Sequence, residues 1–159
     1  MAAFITRMPG GFAGRVTRDV QFSVIENEVF DASSIPTLFG LPVKAVSGKM
    51  QLAVTGATVA GFCVRPDIYQ SATNTLGNVA PVASTTCNRL RQGYFAATCS
   101  YGSPAIDGIV YIRLDTGGNG GTVGQLEATS DTSHNEAIPG AYWTGPADSS
   151  NVAEIRYNL

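Results

Sequence analysis

Charge is what this chain has least of. Asp, Glu, Lys and Arg make up 14% of its 159 residues, where an average soluble domain has about a quarter. A surface so poor in charge is solvated by Ser, Thr and Asn or covered by partners. The net charge of −2 and the pI of 5.2 leave no overall electrostatic footprint for nucleic acid. No apolar run approaches the ~20 residues of a membrane span, and "AAFI", followed at once by "RMPGG", is too short for a secretory h-region. Three cysteines, Cys63, Cys87 and Cys99, form an odd set without CxxC spacing. They imply neither a disulfide framework nor a zinc site, and read as packed, reduced thiols in a chain made in a reducing cytosol.

Catalytic signatures are equally scarce. His134, in "DTSHNEA", is the only histidine; Asp131, Ser133 and Glu136 beside it sit on one short stretch, whereas a triad or metal site draws on separate elements. No GxSxG elbow exposes a serine. The run "DTGGNGG" from Asp115 lacks the Gly-Lys-Ser/Thr ending of a phosphate-binding loop and the terminal glutamate of a calcium loop, so it reads as a turn that needs positive φ. Twelve acids spread thinly over the chain give little support to a glycosidase pair. The sequence therefore calls for no catalytic residue, no metal and no cofactor.

A helical apolar stripe is missing too, and in its place runs a period of two. Met50, Leu52 and Val54 share a face; so do Phe62 and Val64; Val110, Ile112 and Leu114 oppose Ile109, Tyr111 and Arg113. At the C-terminus Ala153, Ile155, Tyr157 and Leu159 alternate with Val152, Glu154, Arg156 and Asn158. "QFSVI", "LPVKAV", "GYFAATC", "TVGQLEA" and "AYWT" complete a set of about nine short strands. Turn signals separate them at Ser47-Gly48, Gly77-Asn78, Asp107-Gly108, 116–121 and 146–151. The expectation is an all-β antiparallel sandwich or barrel, with single helical turns after Asp31 and after Cys87 and a long loop over 67–84.

The front of the chain departs from this pattern. "MPGGFAGRVTR" is too broken for a helix and too rich in glycine for a regular strand. From Met1 to Arg18 there are three arginines and no acid. We expect an extended arm over 1–20 and a single β-sandwich domain over 21–159. Arms of this kind pair with a neighbour's sheet edge, with arginines gripping carboxylates and an aromatic filling a pocket. Phe4, Arg7, Phe12, Arg15 and Arg18 are the expected contact residues. Nucleic-acid binding and folding back on the chain's own domain are the alternatives.

The blocks "MPGGFAGRVTR", "DASSIPTLFGLPVKAVSGKM", "GFCVRP", "GYFAATC", "GIVYIRL" and "AIPGAYWTGPADSSNVAEIRYNL" together resemble head cement proteins of tailed bacteriophages across essentially the whole chain. The resemblance implies a jelly-roll-like β-sandwich on the outside of a phage head, made in the host cytoplasm. It also implies contacts with the major capsid protein over seams between subunits, self-association as a dimer, and no enzymatic activity. The competing expectation is a carbohydrate-recognition module using Tyr69, Asn74, Tyr101, Asn119 and Trp143.

Overall fold

The computed structural model describes residues 12–18, 22–65, 81, 86–119 and 121–159. Nine strands appear in chain order: β1 (Val24–Val29), β2 (Pro42–Val46), β3 (Lys49–Leu52), β4 (Gly61–Val64), β5 (Thr86–Tyr101), β6 (Ile109–Arg113), β7 (Leu126–Glu127), β8 (Asn135–Trp143) and β9 (Val152–Tyr157). A short 3₁₀ turn lies at Gly56–Thr58. The all-β, antiparallel expectation holds, and a jelly-roll-like arrangement is compatible with the pairings.

The long strand β5 organises everything. Its first half pairs with β1 and β4, and Leu90 stands opposite both Ile25 and Phe62. From Gly93 onward it pairs with β9, and near its end, in parallel, with β7. The changeover needs glycine: Gly93 has a φ of +134°, and a Cβ there would lie 2.5 Å from Ser23 Oγ, a conformation and a gap closed to L side chains. Beyond the changeover, β5, β7, β6, β8 and β9 pair in sequence and β9 returns to β5. This circuit of pairings leaves no free edge around the ring, the arrangement that protects a sheet from unplanned pairing.

Inward-facing residues of the ring form the main core, which includes Phe95, Val110, Ile112, Leu126, Trp143 and Ile155. Phe62 enters it from β4, its ring centroid 4.5 Å from that of Phe95 and 4.9 Å, edge-on, from that of Tyr157. Each fully buried large side chain contributes ~1.5–3 kcal/mol by removal from water. Alternation along β4 sends Cys63 the other way, into a second cluster with Phe30, Phe39, Val43 and Met50. Cys63 and Cys99 are both buried; the side chain of Cys87 lies outside the described residues. The β2–β3 hairpin closes on Ser47 and Gly48 with φ of +50° and +75°, the two left-handed positions of a tight hairpin turn.

Three local expectations change. The stretch after Cys87 is not a helical turn but the first half of β5. There Leu90 is fully buried, and Arg89 and Arg91 reach carboxylates on β1; flanking strands satisfy the backbone and override local propensity. "TVGQLEA" yields only β7, because Gln125 N closes a turn on Thr122 O and Gly124 has a φ of +84°. Arg113, read as the outer face of β6, is fully buried.

Candidate interaction surface

The described part of the arm lies along β5. Gly14 N donates to Ala96 O (2.7 Å), Ala96 N to Arg15 O (2.8 Å) and Thr17 N to Tyr94 O (3.1 Å), and Val16 pairs antiparallel with Phe95 while packing on the main core. Arg65 secures the other side, its backbone N–H donating to Gly14 O at 2.7 Å and its Nε to Ala13 O at 3.1 Å. At Gly14 the φ is +81° and a Cβ would lie 2.3 Å from Phe39 Cβ. The glycine is what lets the chain come this close.

The segment ends in an ionic latch. Arg18 binds Glu154 with both ends of its fork, Nη2 to Oε2 at 2.7 Å and Nε to Oε1 at 3.2 Å, and lies 3.9 Å over the Tyr94 ring. Thr17 Oγ1 and Thr144 Oγ1 each donate to the same carboxylate at 2.6 Å. Burial of Glu154 opposes its ionisation, but hydrogen bonds from Arg18, Thr144 and Thr17, together with the charge of Arg18, outweigh it and hold the pKa at about 2. A depressed carboxylate pKa means stability that is complete above the unfolded value of about 4.5 and lost as pH falls towards 2. The shift corresponds to ~2–3 kcal/mol. Acid titration between pH 4.5 and 2 should therefore release the arm, read as a rise in amide exchange at Gly14, Ala96 and Thr17. In Glu154→Gln that transition should be absent and exchange already raised at neutral pH.

Of the five expected contact residues, Arg18 is thus engaged by the chain's own Glu154. Phe12 and Arg15 are exposed, while Phe4 and Arg7 lie outside the described residues. The unanticipated feature is β1, where Val24, Ile25 and Val29, with Phe22 just before them, are exposed. A groove of about 560 Å³ beside it is lined by Val24, Arg89, Arg91, Gln92 and Tyr157. Its cations are already matched by Glu26 and Glu28.

The residues weighed for chemistry are used structurally. His134 Nδ1 lies 2.8 Å from Asp115 Oδ1, and Asp115 also accepts from Gly117 N at 2.8 Å, so the pair shapes the glycine loop. Asp131 joins the buried Arg113 group, 3.2 Å from Nη1, and Glu136 accepts from Gly56 N at 2.9 Å. Among the described residues no cluster of His, Cys, Asp and Glu is placed to hold a metal ion. Trp143, one of the aromatics of the carbohydrate reading, is fully buried and cannot stack on a sugar; Tyr101 and Asn119 are exposed, and Tyr69 and Asn74 lie outside the described residues.

The surface thus offers an exposed apolar strand and, in Phe12 and Arg15, exposed members of the arm. The sequence model of a family described as structural cement protein (E217 gp24/Pam3 gp6) matches residues 3–158. The chain belongs to this family. It is a structural protein of the phage virion with a capsid-stabilising role. No curated protein sequence matches it. Among solved structures, a chain from the capsid of Myoviridae phage XM1 has the same fold, with a TM-score of 0.65, 18% identity, and coverage of 97% of this chain and 94% of that one. Within the cement family, the interest of this molecule shifts from chemistry to the surfaces it offers.

Proposed function

We propose that this cement protein binds the outer surface of the phage head, bridges neighbouring major capsid subunits and does so as a homodimer, without catalysing a reaction or contacting nucleic acid. The observation that carries this reading is the match to the structural cement protein family over residues 3–158. The exposed Phe12 and Arg15 supply an apolar anchor and a cation for acidic groups on the capsid, and residues 1–20 act as the tether.

Cementing needs only contacts that must break before two capsid subunits separate. Many copies on one shell add avidity, so each interface can be modest. The direct test adds purified protein to heads prepared without it and images them. Discrete density on the outside, over boundaries between capsid subunits, is expected; density confined to the interior, or none at saturating protein, sinks the proposal.

A further inference from the structure

The outer face of the β5–β9 ring carries a row of side chains in register. Ile109 of β6 stands opposite Tyr142 of β8, Tyr142 opposite Arg156 of β9, and Arg156 opposite Tyr94 of β5. Their chain neighbours Val110, Trp143, Ile155 and Phe95 fill the main core, so alternation turns all four outward. The guanidinium of Arg156 lies 5.2 Å over the Tyr142 ring, as that of Arg18 lies over Tyr94. The exposed Arg15 extends the row along the arm, because it shares a face with Thr17, whose hydroxyl reaches Glu154.

Beside Ile109, itself 43% exposed, the row ends at Ile106, which is 75% exposed. Ile106 projects from a turn that is already fixed. Gly108 N donates to Ala105 O at 3.0 Å and Trp143 N to Gly108 O at 2.8 Å. Asp107 holds a φ of +58° and accepts from Arg156 Nη2 at 3.4 Å. An isoleucine this exposed adds little to the core, but on a rigid turn it is an anchor whose ordering cost is met before binding. Tyrosine and arginine are the residues that carry most of the energy in protein interfaces, and an arginine held over a ring has less freedom to lose.

Charge selects the partner. Arg15, Arg18 and Arg156 share this face with only two carboxylates, Glu154 and Asp107, each already engaged by an arginine. The face is therefore positive on a chain whose net charge is −2. Two copies meeting through it would oppose like charge, which disfavours self-association by this face. A partner with an acidic rim around an apolar pocket fits.

We infer that this face grips the capsid: Ile106 enters an apolar pocket on a major capsid subunit, and acidic groups around that pocket pair with Arg156 and Arg15. The inference rests on the head binding proposed above and assigns a surface to it beyond the arm. Sedimentation of bare heads with added protein reads the affinity. Ile106→Ser should bind about tenfold more weakly, with an unchanged melting curve because the side chain is exposed. Arg15→Ser/Arg156→Gln should weaken binding similarly and flatten its dependence on salt; if this variant melts lower, Ile106→Ser still decides. Val29→Ser on β1 should bind like the parent chain. A photo-crosslinking side chain placed at Ile106 should join to the major capsid subunit. If the parent chain does not bind heads, the cement reading itself fails. If the parent binds and Ile106→Ser binds equally well, the face assignment is overturned and the cement reading stands. Loss confined to Val29→Ser, or a cross-link from Ile106 to a second copy of this chain, overturns it as well.

Discussion

Replacing Arg113 with methionine should cost this protein ~3–5 kcal/mol, the penalty for leaving a buried partner charge unpaired. Arg113 and Glu127 are both fully buried, with Nη2 and Nε at 2.6 and 2.7 Å from Oε1. The guanidinium also reaches Asp131 Oδ2 at 3.2 Å and Gly117 O at 3.1 Å. On the far side Asn135 Nδ2 donates to Glu127 Oε2 at 2.6 Å and to Thr129 O at 2.8 Å. One cation thus ties β6, β7, the start of β8 and the glycine loop together. Without it Glu127 must stay charged in an apolar interior or take up a proton, and the loop loses its anchor at Gly117. For a chain of this length each kcal/mol lowers the melting temperature by ~2–4 °C, so a drop on the order of 10 °C is expected.

The double variant Arg113→Met/Glu127→Leu is the informative companion. Removing both charges removes the desolvation burden along with the attraction, and buried ion pairs exchanged for apolar residues are often neutral in stability. The double variant should therefore be more stable than Arg113→Met alone, with a coupling energy of ~1–3 kcal/mol in a four-protein urea-unfolding cycle. Simple additivity would show that the two groups do not act as a pair. Arg113→Lys should recover little, because a single ammonium cannot reproduce a fork shared among Glu127, Asp131 and a backbone carbonyl.

Arg113 also marks the limit of what the sequence shows. Alternation along "IVYIRL" located the strand and its inner face correctly, since Val110 and Ile112 are buried. It failed at Arg113 because periodicity assumes an outer face in water, while β7 and the glycine loop cover that face here. Glu154 misled for the same reason: it alternates outward on β9, and the arm together with Thr144 covers it. Of β8 the sequence reading took only "AYWT", which misses the first half of the strand and begins just after Pro139-Gly140. The strand continues across it through a register shift opposite β6, with Gly140 at a φ of +75°. Strand identity is local information; which second face becomes covered depends on elements distant in the chain.

The same division holds for the interaction surface. Charge scarcity and the acid-free front of the chain pointed to assembly rather than chemistry, and the blocks from "MPGGFAGRVTR" to the final strand carried the family. The exposure of β1 was not legible. "QFSVI" reads like any half-buried strand, and only the folded chain shows that Val24, Ile25 and Val29 stay exposed beside β5.

The largest functional effect should come from shortening the arm at the correct place. Removing residues 2–18 would take away Val16 from the core, the hydrogen bonds between Gly14, Thr17 and β5, and the Arg18 partner of Glu154. Losing the Arg18 and Thr17 hydrogen bonds to the buried Glu154 carboxylate would alone cost ~2 kcal/mol or more, so such a chain would lose stability for reasons unrelated to binding. Removing residues 2–11 keeps every one of those contacts and takes away Phe4 and Arg7. The expected result is an unchanged melting curve, with affinity for heads lowered at least tenfold, equivalent to ~1.4 kcal/mol per site, and lowered further at high salt as the arginine contacts are screened. Because many sites act together on one shell, that loss should be amplified. Heads incubated with the shortened protein should rupture, by DNA release on heating, at the temperature of bare heads, and heads with the full chain several degrees higher. If the shortened protein decorates and protects as well as the full chain, the grip on the capsid does not depend on Phe4 and Arg7. It would then have to come from the surface that remains, where Phe12 and Arg15 are the exposed members of the arm.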